Sequence, residues 1–164
     1  MANEVITEKT KQLIDYLVSK HHLSTVTSLV KLCYLSDLVS VSAGNGQITN
    51  FKYIRWHFGP FDKRIEDALF ELVERGDISS ETTYTDYGTE YVKYSVSEDK
   101  DPTITELSET DLGHVNAVLD SLKGYGPKAL TQVAYKTKPM LALGATLGGT
   151  ENMGSPLNLS LSSK

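Results

Sequence analysis

A mostly helical α+β domain, with about five helices and one small antiparallel β-hairpin, is the fold class this sequence predicts. Three observations carry it. Several segments repeat apolar residues at helical spacing; only 90–96 shows a clean strand period; and Gly, Pro and capping residues punctuate the boundaries between them.

Residues 4–20 read as a first helix, with Leu13, Ile14, Leu17 and Val18 on one stripe. Residues 25–42 read as a second. Val26, Leu29, Val30, Leu32, Cys33, Leu35, Leu38 and Val39 cover more than half of its circumference, which predicts a central position in the core. Ala43-Gly44-Asn45-Gly46 ends it, because its Gly and Asn residues tolerate positive φ. Tyr53 to Phe58 reads as a short strand or extended segment, broken by Gly59-Pro60. A helix over 61–75 follows, with Phe61, Ile65, Ala68, Leu69, Leu72 and Val73 on one face and Gly76 beyond its end.

Residues 78–84 and 90–96 read as a hairpin turning at Asp86-Tyr87-Gly88, and Glu98 to Pro102 as a charged linker. Ser108 and Asp111 resemble a capping box at the start of a fourth helix, with Leu107 and Leu112 as a hydrophobic staple. Gly126-Pro127 opens a short fifth helix that must end before Pro139. The last twenty residues are rich in Gly, Ser, Thr and Asn, which predicts disorder, although Leu157, Leu159 and Leu161 alternate as a short partner-dependent strand would.

The 164 residues suit one domain with a substantial core. A net charge of −5 argues mildly against a phosphate backbone as the main partner. The single cysteine, Cys33, rules out an intramolecular disulfide. Met1 to Glu4 lacks the pattern of a signal peptide, and no apolar run is long enough to span a membrane, so the expected location is cytoplasmic by elimination.

No P-loop, dinucleotide glycine fingerprint or zinc spacing is present, and no cofactor or metal site is expected. His21-His22 are adjacent, an arrangement that fits a solvated helix end and not a chelate. Cys33 sits in the most apolar helix, where a buried, inert thiol is the natural reading. Asp37 on that helix needs a partner if buried, with Lys31, Arg55, Arg64 or a tyrosine hydroxyl as candidates. The densest aromatic cluster runs through Arg55, Trp56, His57, Phe58 and Phe61. It is either core packing at a turn or an exposed hot spot, and these five are the candidate partner-binding residues. Helix 61–75 followed by a hairpin has the order of a winged helix, but its three basic residues face five acidic ones, the wrong balance for phosphate contacts.

Lys31-Leu32-Cys33-Tyr34-Leu35-Ser36-Asp37, then Ile48-Thr49, Tyr53 and Gly59-Pro60-Phe61, resemble the Panacea domain family, the SocA-like antitoxins also found in phage and prophage genes. Leu107-Ser108-Glu109 and Tyr125-Gly126-Pro127 through Met140 resemble that family's closing helices, although the family often has Trp after the proline where Met140 stands. The likeness covers about residues 8–142. It implies a Panacea-like helical domain over 1–142, and the composition of the remainder gives a flexible Gly/Ser-rich tail over 143–164. It also implies a non-enzymatic antitoxin that neutralises a cognate protein toxin by direct contact, or a proteolytic adaptor that delivers the toxin for degradation. No catalytic residue carries over. Lys31, Tyr34, Asp37, Tyr53, Gly59 and Pro60 match the motif and are expected to define the fold. Two alternatives stay open: a winged-helix-like DNA-binding regulator, and a phage protein that inhibits a host defence protein.

Overall fold

The computed structural model describes residues 5–97 and 100–162. The start of the expected first helix, part of the charged linker and the last two tail residues lie outside the described residues.

Helix α1 (Glu8–Lys20) begins where the Thr7 side chain accepts from the Thr10 amide. Helix α2 (Val26–Ser42) begins at a full capping box between Thr25 and Ser28. Its flank of apolar residues predicts a central helix, and α2 does contact α1, the helices α3 (Arg64–Glu74), α4 (Glu109–Ser121) and α5 (Pro127–Tyr135), and a 3-10 turn at Leu159–Ser162. Leu29, Val30, Leu32, Cys33 and Tyr34 are fully buried in this packing. Burial on that scale, at roughly 25 cal/mol per Å² of apolar surface, is what stabilises the fold.

Two small antiparallel sheets complete it. Strand β1 (Ile54–Trp56) pairs with β2 (Gly59–Phe61), and β3 (Ser79–Tyr84) pairs with β4 (Glu90–Ser95). The second hairpin matches the expected alternation and is attached to the body where the Tyr94 amide donates to the Ser24 carbonyl at 2.8 Å. The Ser108–Asp111 capping box forms in full at the start of α4.

Two expectations meet a different arrangement, and a third is met and extended. Gly59-Pro60 does not break the extended segment; it forms the returning strand, and the turn is His57-Phe58. Helix α5 ends before Pro139, as expected, and Pro139 itself occupies the first turn of a further short helix, α6 (Lys138–Ala142), where its missing N–H costs nothing. Residues 143–162, expected to be flexible, pack against the domain. The Arg55 amide donates to the Ser155 carbonyl at 2.8 Å, and the Leu157 amide donates to the Tyr53 carbonyl at 3.0 Å. Leu157 and Leu159 are buried, and the 3-10 turn lies on α2 and α6. The alternation of leucines is thus explained partly by a bridge between Pro156 and Ile54, with the chain itself as partner.

Candidate partner-binding surface at the β1–β2 tip

The base of the β1–β2 hairpin is fixed by buried cations. Arg55 is fully buried, so the position expected at an exposed hot spot is instead an internal clamp. Its guanidinium donates to the Trp56 carbonyl, to Thr146 O at 3.0 Å and to Gly149 O at 2.9 Å. It also lies 5.5 Å from the centre of the Tyr135 ring, with a Glu151 carboxylate oxygen at 3.8 Å. Five N–H donors in a rigid fork suit a guanidinium to gathering several carbonyls in this way. One side chain thereby joins β1 to the C-terminal segment.

Lys31 holds the other strand. It is 2% exposed, and its ammonium donates to the Pro60 carbonyl at 3.1 Å. Burial lowers its pKa to about 8, which leaves it protonated at neutral pH. Gly59 sits between these anchors with φ +104°, where a side chain is strained, and a Cβ there would lie 3.4 Å from Tyr135 Cε2 and 3.6 Å from Lys31 Cε. The Tyr135 hydroxyl donates to the His57 carbonyl at 3.5 Å.

Asp37 anchors the approach to β1. This buried carboxylate accepts from the amides of Ile48 and Thr49 at 2.8 and 3.0 Å, from Thr49 Oγ1 at 2.6 Å and from the Tyr53 hydroxyl at 2.7 Å. Of the candidate partners, the tyrosine hydroxyl is the one that meets it. Burial pushes its pKa up to about 6 against the pull of these hydrogen bonds. Tyr34 packs edge-on against Tyr53, and its hydroxyl is hydrogen-bonded to Thr137 Oγ1 at 2.8 Å. Cys33 is fully buried beside them, and burial raises its thiol well above the usual range, which disfavours the thiolate. His21 and His22 lie at the end of α1 with ring centres 4.7 Å apart. Among the described residues, no group of three His, Cys, Asp or Glu side chains is placed to hold a metal ion.

On this fixed base stand the exposed residues. Trp56 is 39% exposed and Phe58 is 65% exposed, His57 is exposed and Phe61 half-buried. The Trp56 and His57 rings meet edge-on at 4.7 Å. Two hollows flank Phe58. One, of about 210 Å³, runs between α2 and the hairpin and is lined by Val26, Val30, Lys31, Trp56 and Phe61 among others. The other, of about 370 Å³, is lined by Thr27, Pro127, Lys128, Thr131 and Leu147. The aromatic cluster is therefore split: Arg55 turns inward, whereas Trp56, His57 and Phe58 face out, as alternation and a two-residue turn require.

A family model described as antitoxin SocA-like, Panacea domain, matches residues 29–139, from within α2 to the first turn of α6. The chain belongs to the SocA-like antitoxin family. The matched stretch contains the whole Panacea motif from Lys31 to Pro60, and α1 and the C-terminal segment lie outside it. Comparison with curated proteins and with solved structures returns no match. Within this Panacea domain, Lys31 is bonded to Pro60 beside Gly59 in β2, whereas Asp37 holds Tyr53 just ahead of β1, with Tyr34 packed on the Tyr53 ring. Sequence reasoning missed Leu147, Pro127 and Lys128 as neighbours of Phe58, because residues so far apart in the chain leave no local signal.

No described helix is long and apolar enough to cross a membrane.

Proposed function

We propose that this protein neutralises a protein toxin by direct, non-catalytic contact, and that the β1–β2 tip is part of the contact surface. The observation that carries the reading is the antitoxin family match together with exposed Trp56 and Phe58 on a hairpin whose base is buried and bonded. Exposed aromatic residues on a pre-organised base lose little conformational entropy on binding, and such residues dominate interface energies.

The DNA-binding alternative finds little support on α3. Arg75 is paired with Glu8 and Glu71, Arg64 with Asp62, and Lys11 with Glu71, so most of the positive charge around this helix is engaged within the chain.

Co-expression with the product of the adjacent gene tests the proposal. Growth should be arrested by that product alone and restored by the pair, and the two should co-elute on gel filtration, as a contact of standard size would. Toxin that persists while growth is restored marks neutralisation by contact; toxin that disappears marks delivery to a protease. A neighbour that is harmless alone and elutes separately contradicts the reading.

A further inference from the structure

Four cationic side chains are buried in the described structure: Lys11, Lys31, Arg55 and Arg64. Three have a carboxylate in range. Lys11 reaches Glu8 and Glu71, Arg55 has Glu151, and Arg64 has Asp62. Lys31 has none among the described residues, although the chain carries 21 acidic residues against 16 basic ones. Its ammonium has three N–H donors and one acceptor, the Pro60 carbonyl. A buried cation without a counter-charge is costly, and that cost is retained here beside an open hollow instead of being offset inside the fold.

That hollow has the lining a partner side chain needs. Lys31 lies in its wall, Val26 and Val30 make it apolar, Trp56 and Phe58 border it at the exposed tip, and the half-buried Phe61 lines it from the far end of β2. Its volume of about 210 Å³ suits a single side chain of modest size. Phe58 and Thr27 also line the second hollow, which Pro127 and Leu147 make apolar in turn. The two adjoining hollows thus differ in chemistry, one with a cation in an apolar frame and one apolar with Lys128 at its edge.

We propose that the hollow at Lys31 receives an Asp or Glu side chain of the partner protein, its carboxylate bonded to the Lys31 ammonium, with an adjacent apolar residue of the partner against Phe58 and Leu147. This inference rests on the tip being the contact surface. A carboxylate supplies the missing acceptors and the missing charge in one group, and a charge-assisted bond in an apolar frame is stronger than a neutral one. It also selects among partners, because a segment lacking the acid leaves the cation unpaired.

Trp56 is the only tryptophan in the sequence, so its fluorescence reports directly on this hollow. The full-length protein is titrated with three peptides: acetyl-Phe-Glu-Phe-amide, its Gln counterpart, and acetyl-Phe-Phe with a free carboxyl terminus. The Glu peptide should bind saturably and at least about tenfold more tightly than the Gln peptide, the ratio expected for one charged hydrogen bond. Lys31→Met should abolish that ratio. The Glu–Gln comparison on the unaltered protein stands even if Lys31→Met fails to fold. Equal binding of Glu and Gln peptides, or no binding of either, overturns the proposal, and tighter binding of the free-carboxyl peptide than of the Glu peptide overturns the side-chain assignment. Co-expression tests the antitoxin reading separately: a toxin that binds normally while the peptides do not discriminate removes this inference alone.

Discussion

The β1–β2 hairpin buries its base and exposes its tip, whereas β3–β4 is exposed along most of both strands. The first is held by Arg55, Lys31 and Tyr135, each reaching to another part of the fold. The second is held by its own ladder, from Ser79↔Ser95 to Tyr84↔Glu90, and by the Ser24–Tyr94 bridge. Both present aromatic residues, Trp56 and Phe58 on one and Tyr84 and Tyr87 on the other. The difference is that those on β1–β2 stand on a base the core fixes, while those on β3–β4 stand on a ladder with little behind it. A fixed aromatic surface is the better binding element, because less order remains to be imposed when a partner arrives.

That contrast is open to perturbation at graded strengths. Removing the clamp should have the largest effect. Arg55→Ala strips the Thr146 and Gly149 carbonyls of their donor, and a loss of about 3–5 kcal/mol is expected, as for breaking a buried charged network. Chemical denaturation measures it. Limited proteolysis should show earlier cleavage between 146 and 154, and a variant as stable and as protected as the parent would deny Arg55 its clamping role.

Next comes Asp37. The folded chain holds its proton up to about pH 6, against an ordinary 3.8, so the folded state binds more protons than the unfolded state between these values. Stability must therefore fall as pH rises from about 4 to about 6 and level off above that, by roughly 3 kcal/mol at most at about 1.4 kcal/mol per pKa unit. Asp15, raised to about 6 by burial and by Asp77, adds to the same slope. Unfolding curves across pH should show a shallower slope in Asp37→Asn, and an unchanged slope assigns the titration elsewhere.

Gly59→Ala is the intermediate case. Its φ of +104° and the approach of Tyr135 predict a loss of about 1–3 kcal/mol by thermal melting. On the other hairpin, Tyr87 is almost fully exposed, and Tyr87→Ser should change stability by no more than about 0.5 kcal/mol. Equal losses at Gly59 and Tyr87 would erase the distinction between the two hairpins.

The same contrast decides what was legible in the sequence. The alternation of Tyr91 to Val96 and the turn at Gly88 are local signals, and they place β3–β4 to within a residue or two. The helices with long apolar stripes are equally legible, as is the capping box at Ser108. By contrast, β1–β2 depends on carbonyls about ninety residues away and on a lysine from α2, so Gly59-Pro60 reads locally as a break. The C-terminal segment misleads for the same reason. Its Gly and Ser content suggests disorder, yet its backbone is satisfied by Tyr53 and Arg55. At the candidate site, the aromatic cluster is visible in sequence, but the inward turn of Arg55 and the lack of a carboxylate beside Lys31 among the described residues depend on tertiary placement.

The most direct measurement is the affinity of the Trp56→Ala/Phe58→Ala double variant for the adjacent gene's product, by calorimetry, alongside its melting temperature. The account predicts a Kd weakened by at least about thirtyfold, about 2 kcal/mol, because hot-spot aromatic residues contribute on that scale. Its melting temperature should stay close to the parent's, since Phe58 is 65% exposed and Trp56 lies at the surface, outside the buried core. An unchanged Kd in a folded double variant would contradict it.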